Sequence, residues 1–320
     1  MYALELAGQD DAFAAYEAGS AASDVAVVAP GLAVAETVTD RLEDLAFTHR
    51  ASELLERTAA TAESARDALE GASIERQGSV AVRARGVRGT DVDTQKVERE
   101  LGSVLVDRGF SIDLDDPDHE LRAVFSADVC LLGWLAFESV RGYGSRRPTD
   151  RPFFQPGSMD PLLARAVVNI AGAKPGTRIL DPMCGTGGIL IEAGLVGASV
   201  LGIDAQSKMV RGTRRNLAAA LDAERYDVAI GDATAMPVRD EGVDAVVFDA
   251  PYGRQSKIAH RDLDGLVGGA LVEARRVAER GVLVADRSWS SSSRAAGWEV
   301  EATFERRVHR SLTRYVHVLR

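Results

Sequence analysis

The period of apolar and polar positions changes several times along the 320-residue chain. Near the start, short apolar runs (Tyr2 to Leu6, Val25 to Pro30, Leu32 to Val38) surround an alanine-rich piece, Asp11 to Ala18, with helical spacing. This predicts a small α+β unit over residues 1–45. From Asp40 to about Leu69, the leucines Leu42, Leu45, Leu54 and Leu55 recur at helical intervals among charges, and Gly71 offers a stop. One or two helices are expected there. Ser79 to Arg85 then alternates, a strand that sets Arg83 and Arg85 on one face. Asp93 or Thr94 can cap a helix from Gln95 to Asp107, and Phe110 to Leu114, Leu121 to Ser126 and Cys130 to Ala136 read as further strands. The acids between Asp113 and Glu120 lack the spacing of a calcium loop and read as a solvated turn.

Residues 141–152, rich in glycine, proline and arginine, have the composition of a linker. After it comes an apolar helix from Leu162 to Ala171, with Pro161 at its start. A series of hydrophobic strands then follows: Thr177 to Asp181, Ser199 to Asp204, Asp227 to Asp232, Asp244 to Asp249 and Gly281 to Asp286. Each ends in aspartate, and the first four of these acids, Asp181, Asp204, Asp232 and Asp249, are the ligand candidates. In a parallel sheet with helical crossovers those acids would share the carboxyl edge, where ligands bind. Two alternating strands, Trp298 to Val308 and Thr313 to Leu319, complete a mixed sheet.

Length allows about two domains, and 46% hydrophobic residues suits a globular chain. The start lacks a basic, apolar leader, and no stretch reaches the ~18 apolar residues of a membrane span, so a cytoplasmic protein without membrane contact is expected. Cys130 and Cys184 form neither a disulfide framework nor a zinc pair, and the five histidines are scattered, so no metal is expected. The net charge of −10 would ordinarily argue against nucleic acid. Only Lys96, Lys174, Lys208 and Lys257 are lysines, however, and acids are abundant. That profile resembles salt-adapted proteins, in which charge is strongly screened and says little about partners.

The first of the acid-ending strands runs into Pro182-Met-Cys-Gly-Thr-Gly-Gly188 and then a helix, Ile189 to Val196. Strand, glycine turn and helix form a nucleotide-binding opening. Asp181 would repel a pyrophosphate but can accept a hydrogen bond from an α-amino group. Asp204 lies 23 residues further on, close to the ~20-residue offset at which a carboxylate meets ribose hydroxyls, and Asp232 suits an adenine amino group. At the fourth strand end, Asp249-Ala-Pro-Tyr252 presents a carboxylate, a proline-stiffened turn and an aromatic ring, a set suited to a substrate amino group.

Val80 to Gly89, the helix after it and the strands to Phe137 resemble the THUMP domain of RNA-modifying enzymes. That resemblance implies an RNA-binding domain over residues 46–140 that grips the acceptor end of tRNA, with Arg83, Arg85, Arg88 and Arg99 as phosphate contacts. Residues 153–320 resemble the class I S-adenosylmethionine-dependent methyltransferases, with a Rossmann-like α/β sheet. Asp181 to Gly188 looks like their first motif, implying cofactor contacts at Asp181, Met183, Gly185, Thr186 and Gly187 besides Asp204 and Asp232. Asp249-Ala-Pro-Tyr252 looks like the [D/N]-P-P-[Y/F/W] motif of amino-group methylases, implying catalytic roles for Asp249, Pro251 and Tyr252. Ala250 departs from the usual proline, and a less rigid turn is expected.

With the Arg146 to Met159 bridge and the terminal His309-Arg-Ser-Leu-Thr-Arg-Tyr315, most of the chain resembles the archaeal tRNA (guanine-10) N2-methyltransferase family. The resemblance implies mono- and dimethylation of guanine N2 in tRNA. It also implies a cofactor border at Phe154, Pro156, Gly157, Ser158 and Met159, RNA contact by Arg146 and Arg147, and no obligate protein partner. Methylation of rRNA guanine, DNA adenine or protein glutamine, RNA binding without catalysis, and a dehydrogenase remain alternatives.

Overall fold

The computed structural model describes residues 1–252, 260–309 and 312–320, and the chain divides into two units, Met1–Val140 and Arg141–Arg320. Among the described residues the first unit runs β1 (Tyr2–Leu6), α1 (Asp11–Ala18), β2 (Ala26–Ala29), β3 (Leu32–Ala35), β4 (Thr48–Ala59), α2 (Ala62–Gly71), β5 (Ser79–Gly86), α3 (Thr94–Asp107), β6 (Ser111–Ile112), β7 (His119–Ser126) and β8 (Val129–Glu138). These strands join one mixed sheet in the order β2-β3-β1-β4-β8-β7-β5-β6, so residues 1–45 share a sheet with the segment after them. Val97, Leu101, Val104 and Leu105 form one face of α3 and pack with Phe110, Phe125 and Trp134. Asp93 caps that helix, its carboxylate accepting the Lys96 N–H at 3.0 Å.

Residues 48–59 overturn a helical expectation: they form β4, paired antiparallel with β1 and β8. The register against β8 shifts at Ala51/Ser52 and again at Leu54/Glu56. Each bulge interrupts the alternation of inward and outward side chains, so the period-two signal is lost and the leucines fall at intervals that mimic a helix. Within the expected helical span a short 3-10 helix does form at Asp40–Asp44, and α-helix begins at α2, where Thr61 accepts the Ser64 N–H.

The second unit runs α4 (Pro161–Ala171), β9 (Arg178–Asp181), α5 (Gly188–Leu195), β10 (Ser199–Asp204), α6 (Ser207–Ala220), β11 (Tyr226–Ile230), β12 (Ala245–Asp249), α7 (His260–Val277), β13 (Gly281–Ala285), α8 (Ser290–Ala295), β14 (Val300–His309) and β15 (Leu312–Leu319). Its sheet has the order β11-β10-β9-β12-β13-β15-β14. Strands β9 to β13 pair in parallel, and β15 runs antiparallel to β13 and to β14. All five residues of β13 are buried, as a strand covered on both faces requires. Val246 and Phe248 of β12 pack with Val267, Leu271 and Ala274 of α7, while Ala245 and Val247 are buried on the opposite face. Strand order reverses between β9 and β12, and a crevice opens at such a switch point beyond the carboxyl ends of the strands.

Three of the four expected strand-end acids stand at strand ends: Asp181, Asp204 and Asp249. The fourth does not. β11 ends at Ile230, and Asp232 belongs to the following turn, where its Oδ1 accepts the N–H and the hydroxyl of Thr234, each at 2.8 Å. Arg310 and Ser311 of the terminal motif lie outside the described residues.

Candidate active site

Where β9 runs out, the glycine turn is held from α6 and β10. Gly187 has a φ of +78° and caps α5; a Cβ there would lie 2.8 Å from Thr213 Cγ2, so glycine answers both the conformation and the space. The Thr213 hydroxyl donates to the Gly185 carbonyl at 2.7 Å. Asp204 Oδ2 accepts the Gly185 N–H at 3.0 Å and its Oδ1 accepts the Gln206 N–H at 2.8 Å. Asn216, buried on α6, donates to the Thr186 carbonyl at 2.9 Å. The same amide clasps the Phe153 backbone, accepting its N–H and donating to its carbonyl, both at 2.8 Å. A strap, residues 153–159, is thus tied to the turn; the Ser158 hydroxyl lies 2.9 Å from that of Thr186 and donates to the Gln155 carbonyl at 2.8 Å.

Strap, glycine turn and the Asp249 turn enclose a cleft of about 290 Å³. It brings together Pro156, Gly157, Ser158 and Met159 from the strap, and Asp181, Met183, Gly185 and Thr186 from the turn. Asp249, Pro251 and Tyr252 complete the wall. Phe154, Gly187, Asp204 and Asp232 stand outside this lining. Phe154 is exposed, Gly187 sits at the head of α5, Asp204 supports the turn through Gly185, and Asp232 closes its own turn.

The cleft concentrates buried acid. Burial pushes the Asp181 carboxyl well above its ordinary value; Asp204 and Asp249 push the same way, against a 3.0 Å bond from the Met183 N–H. Asp204 is raised by burial, opposed by its two backbone donors. Asp249 is pushed up to about 6, again by burial, with Asp286 adding and Arg314 and Tyr252 opposing. A cationic ligand would relieve all three.

Behind Asp249 stands a chain of three groups. The Tyr252 hydroxyl donates to Asp249 Oδ1 at 2.7 Å and accepts from Arg314 Nε at 2.8 Å. Arg314 Nη2 lies 3.7 Å from Asp249 Oδ2, with the arginine side chain only 6% exposed. Burial and the Asp249 charge keep the phenol protonated. Between the two motif residues, Ala250 is buried and its N–H donates to the Val284 carbonyl at 2.8 Å. The turn is thereby anchored at the position where proline was expected to supply rigidity.

The arginines expected to meet RNA are mostly engaged already. Arg83 donates to the Leu114 carbonyl at 2.6 Å, Arg85 lies 3.4 Å from Glu5, and Arg88 pairs with Asp11. Arg146 binds the fully buried Glu192 at 2.8 Å together with Arg165, and its guanidinium lies over the Tyr143 ring. That ion pair, with its Glu192 side fully buried, fastens residues 141–146 to α5. Arg99 on α3 and Arg147 are exposed.

Arg314, Asn216 and Thr213 were not singled out by the sequence reading. Arg314 lay within the terminal motif, and that was its one signal. Asn216 and Thr213 sit at i and i+3 on α6, an unremarkable polar pair until the turn and strap dock on them. Among the described residues no helix is long and apolar enough to cross a membrane, and no group of three His, Cys, Asp or Glu side chains could hold a metal ion.

The family model described as RMKL-like, methyltransferase domain matches residues 148–316, and a THUMP domain model matches residues 60–134. The tRNA (guanine(10)-N2)-dimethyltransferase of Methanothermobacter thermautotrophicus is 38% identical over 282 residues, 86% of this chain and 83% of that one. The protein of the same description from Pyrococcus abyssi is 32% identical over 76% of this chain and 74% of its own. Among solved structures, TrmN from Thermus thermophilus matches over 99% of this chain and 98% of that one, with a TM-score of 0.52 and 22% identity, a likeness of fold.

Proposed function

The chain belongs to the tRNA (guanine(10)-N2)-dimethyltransferase family, and from that premise we propose that it methylates the exocyclic N2 of guanine in tRNA, at position 10, adding one methyl and then a second. One observation carries the reading: Asp249 and Tyr252 stand in a single cleft with Asp181 and the glycine turn, so an amino-group acceptor faces a nucleotide-type site.

The residues present fit S-adenosylmethionine. Asp181 is buried with Asp204 and Asp249 as neighbouring acids, an arrangement that favours a ligand carrying an ammonium and a sulfonium charge. Asp204 keeps lone pairs beyond its two backbone bonds for ribose hydroxyls. Pro156 to Met159 would border the cofactor, Phe154 and Asp232 from outside the cleft lining. When bound, the cofactor supplies a methyl group on a sulfonium centre whose charge disappears on transfer.

An exocyclic amine conjugated to a purine is a poor nucleophile. Asp249 accepts one N2 hydrogen and a carbonyl of the Ala250–Pro251 turn the other, which favours a pyramidal nitrogen and aims its lone pair. As N2 becomes more acidic on methylation, the Asp249 carboxylate takes the released proton and returns it to water. Pro251 fixes the turn and the Tyr252 ring offers a stacking face. Residues 1–45 and 46–140 are read as the unit and the THUMP domain that position the RNA, residues 141–152 as the linker and 153–320 as the catalytic domain. Arg99 and Arg147 would reach phosphates directly, Arg83, Arg85 and Arg88 after exchanging their present partners. A guanine in a paired stem must leave its stack to enter the cleft.

The purified chain alone, incubated with a tRNA transcript and labelled cofactor, should yield N2-methylguanosine and then N2,N2-dimethylguanosine in nuclease digests read by mass spectrometry. Label entering rRNA, DNA or protein but not tRNA would redirect the assignment. The acidic, lysine-poor composition and the two buried free cysteines support a salt-rich, reducing cytoplasm as the setting; recovery of the native protein in a membrane fraction would contradict that setting.

A further inference from the structure

The chain's last strand, β15, reaches the cleft because it runs antiparallel to β13. Register places Val284 beside Asp249 on one side and beside Val316 on the other. Arg314, two residues before Val316 on the same face of β15, therefore stands at the carboxyl edge of the parallel strands, level with the Asp249 turn. We propose that Arg314 is a positioning residue for methyl transfer: by holding the Tyr252 hydroxyl on Asp249 Oδ1 it dedicates Asp249 Oδ2, still ionised, to the substrate amino group. The inference rests on the function proposed above.

The geometry separates two jobs within one carboxylate. Oδ1 is occupied by the Tyr252 hydroxyl at 2.7 Å, and that hydroxyl can donate only there because it accepts from Arg314 Nε at 2.8 Å. Arg314 Nη2 is 3.7 Å from Oδ2, near enough to favour the negative charge but beyond hydrogen-bond reach, so Oδ2 keeps its acceptor capacity. The guanidinium also lies 5.9 Å from the centre of the Tyr252 ring, which fixes the ring as well as its hydroxyl.

Arg314 offsets an otherwise hostile environment. The charged and titratable groups facing Asp249 among the described residues are Tyr252 from its own turn, Asp181 at the end of β9, Asp286 after β13 and Arg314 from β15. Asp286 is an acid that favours protonation of Asp249; Arg314 is the cation among these groups, with Asp160 supporting its charge. A neutral Asp249 would carry a hydrogen on one oxygen and lose the acceptor that the amino group needs. Arg314 thus acts on the reacting nitrogen through Asp249 and Tyr252.

The test compares the unaltered protein with Arg314→Met, Arg314→Lys and Tyr252→Phe, on a tRNA transcript across a pH series, with S-adenosylmethionine affinity measured by calorimetry. Removing the cation raises the Asp249 pKa, so the acid limb of kcat/KM for Arg314→Met should move to higher pH by about one unit. Its transfer rate should fall about 100-fold while cofactor affinity stays within about twofold. Arg314→Lys keeps the charge and should restore the acid limb but not the full rate, since an ammonium lacks the planar fork that reaches both groups. Tyr252→Phe should lower the rate with no further loss when combined with Arg314→Met, because both act through one chain of bonds. An Arg314→Met protein with an unmoved acid limb, or one whose rate falls only in step with cofactor affinity and thermal stability, overturns the role. No methyl transfer by the unaltered protein overturns the function itself, and this role with it; transfer by the unaltered protein that Arg314→Met leaves intact overturns the role alone.

Discussion

Ala250 donates its backbone N–H to the Val284 carbonyl at 2.8 Å, adding one bond to the β12–β13 ladder at the point where the Asp249 turn begins. Proline has no N–H to give. The residue that looks like a loosening of the motif is the residue that ties it to the sheet.

Ala250→Pro should therefore not repair the motif. It leaves the buried Val284 carbonyl without this partner, and the protein should lose about 1–2 kcal/mol of stability. Denaturant midpoints at constant slope would show it. Equal or greater stability would mean that the turn gains more from a fixed φ than from the bond.

Asn216→Ala removes the amide that clasps Phe153 and Thr186 together. The strap should shift from the glycine turn and S-adenosylmethionine affinity should fall about tenfold, the effect of roughly one hydrogen bond. Calorimetry reads this directly. An unchanged affinity would show that the strap holds its place without Asn216.

The Asp249 carboxyl is pushed up to about 6 by burial, and the proposed transfer uses its ionised form as acceptor. Its proton is lost as pH rises through that value, so kcat/KM should climb from pH 5 to pH 7 and level off at about 7. A profile flat down to pH 5 would remove the carboxylate from the rate.

Much of this site was legible because parallel strands bring their ends to one edge. Hydrophobic runs ending in Asp181, Asp204 and Asp249 could be read without knowing how the chain folds. Asp232 lies two residues past the end of its strand, and in one dimension an acid there looks like an acid at the strand's end. Strand β4 was illegible for a local reason, its two bulges against β8. Arg314, Asn216 and the Ala250 N–H were illegible for a tertiary one. Each owes its role to a partner on another element, Tyr252, Phe153 and Val284, which no spacing within a single segment reveals.

The excess of 48 acids over 38 bases should make folding depend on screening. Raising KCl from 0.1 M to 2 M shortens the Debye length from about 10 Å to below about 3 Å, and the melting temperature should rise with it. A melting temperature and activity that are unchanged without salt would assign the composition to another cause.

In the proposed reaction Asp249 receives the guanine amino group in the cleft that Asp181 and the glycine turn prepare for the cofactor. The most direct measurement compares Asp249→Ala with the unaltered protein, by mass spectrometry of nucleosides from a tRNA transcript incubated with labelled S-adenosylmethionine. The unaltered protein should produce N2-methylated guanosine, and the variant should still bind the cofactor yet, with cofactor saturating, transfer at least about 100-fold more slowly. Equal N2-methylguanosine from both proteins would contradict the account.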